Sequence, residues 1–240
     1  MKKLFRFLFS LTCACALLLG AMFPSLRVVA EAPTVLSDPI DRMTFFGEST
    51  TAHLALRGGI APERVWANAS GTMRLDSDIL SRRLIDRTDG TDRTVCELAQ
   101  RHRPEILVLS FGLNGVMGFS ASTERYLRCY GRLTDAILAV SLETRIIVQS
   151  VYPVADLPHQ TDWQFSVSPA EICRRIDGLN AALREFCRAD TRLLYADTAS
   201  VLVGADGFLV PDFTTDGIHL TATAYTRILG VLRECARALV

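Results

Sequence analysis

Four short segments of the chain contain residue types that could together carry out acyl transfer. This chemistry needs a nucleophile, a base, a group that orients the base, and N–H donors for a developing oxyanion. Ser49 offers a hydroxyl, and His219 offers an imidazole that could take its proton. Asp216 stands three residues before His219, so one tight turn can bring its carboxylate to the other ring nitrogen. The backbone N–H groups of Ser49 and Gly71 and the side-chain amide of Asn114 could form an oxyanion hole.

Each of these segments has a simpler explanation when it is taken alone. A serine after a strand usually caps a helix, and the Asn114-Gly115 pair is usually a turn. An Asp-Xaa-Xaa-His segment is often only a capping or surface pair. The prediction of a catalytic site therefore depends on the four segments occurring together. A further histidine, His53, lies one helical turn after Ser49 and could either line the same pocket or face solvent.

The elements that must position these residues alternate between strands and helices. Continuous apolar runs, typical of strands buried on both faces, predict strands at residues 43–46, 64–67, 106–111, 145–150 and 193–196. Apolar residues at helical spacing predict helices at residues 49–56, 94–102, 123–140, 170–188 and 220–239. Residues 74–92 are polar and show no clear pattern. The alternation predicts a single α/β domain whose parallel sheet has helices on both faces, with the functional residues at the carboxyl ends of the strands.

The N-terminus has the composition of an export signal. Lys2 and Lys3 are the only lysines among the 240 residues, and an apolar run follows from Phe7 to Phe23. We predict that residues 1–32 are a signal peptide or, as the alternative, an anchor that attaches the chain to a membrane, and that residues 33–240 form the domain. Either way the domain is expected outside the cytoplasm. Net charge is zero and no long basic run occurs, so nucleic acid is not an expected partner.

The catalytic set resembles that of the SGNH, or GDSL-type, hydrolase superfamily. Ser49, Gly71, Asn114 and His219 match its four name-giving residues in order, and Asp216 matches its Asp-Xaa-Xaa-His element. The resemblance implies a three-layer α/β/α fold with a flavodoxin-like parallel sheet of about five strands. It also implies hydrolysis of esters without a metal or organic cofactor. Residues 65–66 and 149–153 resemble those of an exported bacterial branch of the superfamily.

Two positions depart from the pattern of the superfamily. Glu48 stands where the first block usually has aspartate, and Gly115 stands where the asparagine block often continues with aspartate. The longer carboxylate of Glu48 should still reach nearby backbone donors, so we expect activity to survive.

Three functions are open at this point. The first is an exported serine esterase that removes small acyl groups, acetyl above all, from a small ester or an acylated carbohydrate. The second is a lipase-like or thioester-cleaving acylhydrolase, and the third is a non-catalytic protein that binds the cell envelope. Trp163 and Phe165, in a long loop, could form a lid or a platform for sugar stacking, or could simply pack the loop onto the domain.

Overall fold

A computed structural model describes residues 38–68, 70–157 and 165–239 of the chain. The predicted signal or anchor at residues 1–32 lies outside the described residues, as does Trp163. Across the described ranges, none of the helices has both the length and the apolar composition of a bilayer-spanning segment.

The strands in the described residues form one large sheet and one small hairpin. Their bounds are β1 (Met43–Gly47), β2 (Val65–Trp66), β3 (Arg83–Ile85), β4 (Asp92–Thr94), β5 (Ile106–Ser110), β6 (Arg145–Gln149) and β7 (Leu193–Ala196). The large sheet is parallel throughout, in the order β2-β1-β5-β6-β7. This is the doubly wound order of flavodoxin-like folds. The predicted α/β fold with a five-stranded parallel sheet is confirmed.

Helices cover both faces of this sheet. The α-helices are α1 (Ser49–Ala52), α2 (Leu54–Arg57), α3 (Val95–His102), α4 (Val116–Ala121), α5 (Thr123–Val140), α6 (Pro169–Arg188) and α7 (Ala222–Arg237). Alternate residues of the strands point into two separate apolar layers. Leu107 of β5 packs in the layer that α3, α5 and α6 cover, whereas its neighbour Val108 packs in the layer of α2 and α7. The three-layer α/β/α architecture follows from this alternation.

The N-terminal ends of the longer helices are capped by side chains. Thr94 and Glu97 form a reciprocal capping box at the start of α3, and Ser122 and Ser168 accept hydrogen bonds from the first turns of α5 and α6. Two helical features differ from the prediction. The single helix expected at residues 49–56 breaks into α1 and α2 at His53, and the short α4 was not predicted.

The polar region between β2 and α3 contains the antiparallel hairpin of β3 and β4. The buried carboxylate of Asp86 holds this hairpin against the end of α3. It accepts hydrogen bonds from the Thr88 N–H and hydroxyl, lies 2.9 Å from the Arg93 guanidinium, and lies 2.8 Å from His102 Nε2. The hairpin is therefore held by charge as much as by apolar contact.

Candidate active site

The predicted site residues lie at the point where the strand order of the sheet reverses. Strands β1 and β5 are neighbours there, and the chain leaves them toward opposite sides. Ser49 follows the end of β1, and Asn114 follows the end of β5. In doubly wound sheets the crevice at such a switch point is the usual place for a ligand.

Ser49, His219 and Asp216 form a continuous chain of contacts in this crevice. The Ser49 hydroxyl oxygen lies 3.2 Å from His219 Nε2. The other ring nitrogen of His219, Nδ1, lies 2.6 Å from Asp216 Oδ2. These distances allow the imidazole to receive a proton from the hydroxyl while the carboxylate fixes its tautomer. Ser49 and His219 are both partly accessible, so a substrate can reach them.

A tight turn before α7 holds the Asp216 carboxylate in place. Its Oδ1 atom accepts hydrogen bonds from the backbone N–H groups of Ile218, at 2.9 Å, and His219, at 2.7 Å. Thr214, which the sequence analysis did not single out, closes the turn: its hydroxyl donates to the His219 carbonyl and accepts from the Gly217 N–H. Burial alone would raise the pKa of Asp216, but the hydrogen bonds from His219 and Ile218 outweigh it and lower the pKa. Asp216 is therefore ionised at neutral pH.

Two long-range hydrogen bonds tie the helices after Ser49 to the segment after His219. The Tyr225 hydroxyl of α7 donates to the Thr50 carbonyl at 2.7 Å, and Arg57 of α2 donates to the Leu220 carbonyl at 2.8 Å. Tyr225 is buried, so its bond is shielded from water. These contacts join parts of the chain that are more than 160 residues apart and set the spacing between the hydroxyl and the imidazole.

Gly71 packs directly against the nucleophile segment. Its φ angle is +66°, and a Cβ atom at this position would lie 2.7 Å from the Cβ of Ser49. Both the backbone conformation and the space therefore require glycine. The close approach that needs glycine here is made by Ser49 itself.

The N–H groups proposed for the oxyanion hole lie beside Ser49, but two of them donate to the protein. The Gly71 N–H donates to the Asn68 carbonyl at 3.1 Å. The Asn114 amide donates to the carbonyls of Gly71, at 3.2 Å, and Met73, at 2.9 Å. The Ser49 N–H lies in the first turn of α1, where a helix leaves its N–H groups without helical partners. A substrate oxygen would therefore meet the Ser49 donor first and would have to displace a carbonyl from the others.

Glu48 links the two segments that carry Ser49 and Asn114, as its reach predicted. Its buried carboxylate accepts hydrogen bonds from the Gly112 N–H, at 3.0 Å, and the Asn114 N–H, at 3.1 Å. Burial raises the pKa of Glu48 to about 7, although these backbone donors oppose the shift. Gly115 is the second position that departs from the superfamily pattern, and packing explains why glycine stands there. A Cβ atom at this position would lie 2.4 Å from the ring of Phe119.

His53 lines the site rather than facing solvent. Its ring centroid lies 5.0 Å from that of His219. Burial and the nearby His219 lower the pKa of His53, so this second imidazole is neutral at pH 7. A neutral ring leaves His219 free to take up a proton without like-charge repulsion.

A cleft of about 600 Å³ opens next to Asn114. Its walls are residues 74–77, residues 113–119, Arg125 and Phe165, and we call it the Asn114 cleft. Charged and polar side chains, among them Arg74 and Arg125, stand on its walls beside apolar ones. Within the described residues, no group of three or more histidine, cysteine or acidic side chains is arranged to hold a metal ion.

A hydroxyl–imidazole–carboxylate chain at the switch point of a doubly wound sheet defines the class of serine hydrolases that act on acyl groups. The particular family follows from the sequence: residues 45–227 match the GDSL-like Lipase/Acylhydrolase family. The chain therefore belongs to this family, and it is a serine ester hydrolase. A comparison with curated proteins found no match.

Solved structures of similar fold include several esterases. A GDSL-like lipase from Bacteroides thetaiotaomicron is 18% identical, with a TM-score of 0.60 over 85% of this chain and 93% of its own. A carbohydrate esterase of family 3 from Talaromyces cellulolyticus is 15% identical, with a TM-score of 0.55 over 82% and 96%. An acetyl esterase mutant solved with an acetate ion is 14% identical, with a TM-score of 0.52 over 82% and 99%. At these identities the likeness establishes the fold.

Proposed function

We propose that the chain hydrolyses esters of short acyl groups, acetyl above all, through an acyl-enzyme on Ser49. The observation that carries this proposal is the chain of contacts from Asp216 through His219 to the Ser49 hydroxyl, at 2.6 and 3.2 Å. The proposed alcohol is a carbohydrate, which agrees with the carbohydrate esterase and acetyl esterase among the structures of similar fold.

The reaction proceeds in two halves. His219 takes the proton of the Ser49 hydroxyl as its oxygen attacks the carbonyl carbon, and the negative charge that develops on the carbonyl oxygen faces the Ser49 N–H. His219 then gives the proton to the departing alcohol, which leaves the acyl group on Ser49. In the second half His219 removes a proton from water as its oxygen attacks the acyl carbon. His219 then returns this proton to the Ser49 oxygen as the bond to the acyl carbon breaks and the acid is released. Asp216 stabilises the imidazolium in both halves.

Gly71 and Asn114 complete the oxyanion hole in this proposal. Their N–H groups donate to carbonyls of the same loop at 3.1 and 3.2 Å in the structure, so each exchanges a carbonyl for the substrate oxygen. The exchange favours the transition state, because a full negative charge is a better acceptor than a carbonyl.

The lining of the Asn114 cleft supports a short acyl group over a fatty one. A lipase-like enzyme needs an apolar channel for an alkyl chain, whereas Arg74, Asp76 and Arg125 stand on the walls of this cleft. Burying an alkyl chain against such groups would desolvate their charges at a cost of several kcal/mol. The cleft suits a polar alcohol, so the acyl group is the small part of the substrate.

A fluorophosphonate probe and a series of nitrophenyl esters test the proposal. We expect the probe to label the wild type but not Ser49→Ala, and we expect acetyl to be cleaved with a higher kcat/KM than butyryl or longer chains. His102→Ala, which alters a histidine outside the site, is the matched control and should still be labelled. Preference for long chains would instead support the lipase-like alternative. Absence of labelling in a folded wild type would support the non-catalytic binding protein.

We also propose that the hydrolase acts outside the cytoplasm, as residues 1–32 predict. Cells that express the full chain should contain the activity in the exported or membrane fraction. Deleting residues 2–32 should retain the activity in the cytoplasm, and an unchanged distribution would contradict the proposal.

A further inference from the structure

The Asn114 cleft contains two arginines whose position the backbone fixes. Arg74 follows Met73, whose carbonyl accepts the 2.9 Å hydrogen bond from the Asn114 amide. Met73 and Leu75 on either side are almost completely buried, at 2% and 0% exposure, so the exposed Arg74 side chain between them must point away from the core. Arg74 is thus attached to the loop that the candidate oxyanion donor holds.

Arg125 approaches the same cleft from the first turn of α5. The N-terminal end of a helix carries the positive end of its dipole, so a cation there is disfavoured. Local structure offers Arg125 no compensation, since the acidic residue of this turn, Glu124, pairs with Arg128. Arg125 is thus an exposed cation on the wall of the cleft, at a helix end that does not favour it.

The charges of the two arginines are not neutralised by the walls of the cleft. Asp76 is the acidic residue on these walls, and it pairs with Arg82. Glu48 attracts Arg74 at longer range, but burial raises the pKa of Glu48 to about 7 and its oxygens accept backbone N–H groups. Within the described residues, no salt bridge engages the guanidinium of Arg74 or Arg125.

We propose that Arg74 and Arg125 bind an anionic group, a carboxylate or a phosphate, on the alcohol part of the ester. This inference rests on the proposed function, because it takes the short acyl group to lie at Ser49 and the alcohol to lie in the Asn114 cleft. A volume of about 600 Å³ accommodates one or two sugar rings. The guanidinium fork matches the geometry of both carboxylate and phosphate oxygens. The substrate class is then an acylated acidic carbohydrate.

Matched esters test the proposal on the full chain. The probes are methyl acetylglucoside, methyl acetylglucuronoside and methyl acetylglucoside phosphate, with the acetyl group on the same hydroxyl. In low salt we expect kcat/KM to be about tenfold or more higher for one of the two acidic esters than for the neutral ester. The preferred acidic ester distinguishes a carboxylate site from a phosphate site. The preference should shrink in high salt, because the arginines are exposed.

Variants assign the preference to the two arginines. Arg74→Gln/Arg125→Gln should remove the preference, so that the ratio of kcat/KM for the acidic ester to kcat/KM for the neutral one falls to about one. Arg74→Lys/Arg125→Lys should retain part of the preference, because the charge remains but the fork is lost. Arg188→Gln, which changes an exposed arginine of α6 outside the cleft, is the matched control and should behave as wild type. An unchanged melting temperature shows that the variants are folded.

Binding separates this proposal from the proposed function. Ser49→Ala, titrated with the deacetylated methyl glycosides, should bind an acidic one more tightly than the neutral one, and the double glutamine change should remove the difference. If no ester is cleaved but this difference is found, the esterase proposal fails and the anion site stands. If acidic and neutral sugars are cleaved and bound alike, or if their difference survives the double change, the anion site is wrong.

Discussion

Two aspartate–histidine pairs of this protein have almost the same contact distance and different surroundings. Asp216 and His219 meet at 2.6 Å beside Ser49, and Asp86 and His102 meet at 2.8 Å at the base of the β3–β4 hairpin. The Asp86 side chain is only 2% exposed, whereas that of Asp216 is 45% exposed. The carboxylate of the Asp86–His102 pair is thus part of the interior, and that of the Asp216–His219 pair faces the solvent from which a substrate arrives, whereas the two imidazoles are equally exposed, at 25%.

The two pairs also differ in the surroundings of the imidazole nitrogen that does not contact the carboxylate. His219 uses Nδ1 for the carboxylate, which leaves Nε2 to contact the Ser49 hydroxyl at 3.2 Å. His102 uses Nε2 for the carboxylate, and its ring lies near Trp66, with centroids 6.1 Å apart. Asp86 also forms salt bridges with Arg93 and Arg101, so its negative charge is shared among several cationic groups. A carboxylate–imidazole contact can support catalysis only where the free nitrogen meets a nucleophile.

The largest difference between the two pairs is expected in kcat when the histidine of each pair is replaced by alanine. We expect His219→Ala to lower kcat about 10⁴-fold or more, because the His219 imidazole is the group in contact with the Ser49 hydroxyl. His102→Ala should leave kcat within about twofold and cost about 1 kcal/mol of unfolding free energy, the usual value of one hydrogen bond. Turnover of nitrophenyl acetate and chemical denaturation measure the two effects. If folded His102→Ala lost kcat to a comparable extent, the conclusion that only the Asp216–His219 pair supports catalysis would be wrong.

Replacing the aspartate of each pair should also affect kcat only at Asp216, but by a smaller factor than replacing the histidine. Asp216→Asn is expected to lower kcat about 10²–10⁴-fold, because an amide can hold the imidazole in the wrong tautomer, while KM changes little. Asp86→Asn, the matched control, should leave kcat unchanged. Unaltered turnover in Asp216→Asn would mean that another group orients His219.

Stability should show the reverse ranking of the carboxylates. Asp86→Ala is expected to cost about 2–4 kcal/mol, because it leaves Arg93, Arg101 and His102 clustered without their common partner. Burial alone would raise the pKa of Asp86, but hydrogen bonds from Thr88 and His102 hold it below its usual value. The contribution is therefore present above pH 4 and lost in more acidic solution. Urea denaturation of both proteins at pH 7 and pH 3 measures this, and Asp216→Ala should change stability by less than about 1 kcal/mol.

The sequence predicts the framework of the molecule well, because the framework follows from local patterns. The apolar residues of 123–140 recur at helical spacing, and α5 has these same bounds. The run at 106–111 is apolar except for Ser110, and β5 is buried on both faces. It could also be predicted that the segments after β1 and β5 lie close together, since parallel strands bring their carboxyl ends to one edge of the sheet.

Features that depend on distant partners could not be predicted. The sequence of the β3–β4 hairpin has no clear apolar alternation that would predict its strands. Charged contacts of Asp86 with Arg93 and Arg101 stabilise it instead. The engagement of the Asn114 amide by the Gly71 and Met73 carbonyls joins segments about forty residues apart. Arg74 and Arg125 drew no attention in the sequence, since a single exposed arginine is common and only the fold brings these two to one cleft.

Glu48 extends the comparison to a buried carboxylate whose hydrogen-bond partners are backbone N–H groups, with the charge of Arg74 acting at longer range. It is almost as buried as Asp86, at 4% against 3% exposure, but backbone N–H groups are its partners. The pKa values move in opposite directions as a result: that of Asp86 is lowered, and burial raises that of Glu48 to about 7. Because the folded state holds the Glu48 proton more tightly than the unfolded state, stability should fall as pH rises from about 4.5 to about 7.

Glu48→Gln should remove this dependence of stability on pH. The wild type should lose up to about 3 kcal/mol of unfolding free energy between pH 4.5 and pH 7.5 relative to the glutamine variant, which cannot ionise. Urea denaturation at these two pH values gives the difference. Asp86→Asn is the matched control: because the Asp86 pKa lies below this window, its curve should run parallel to that of the wild type. If Glu48→Gln also ran parallel, the carboxylate would be ionised throughout, and the backbone N–H groups alone would compensate its burial as fully as the cations compensate Asp86.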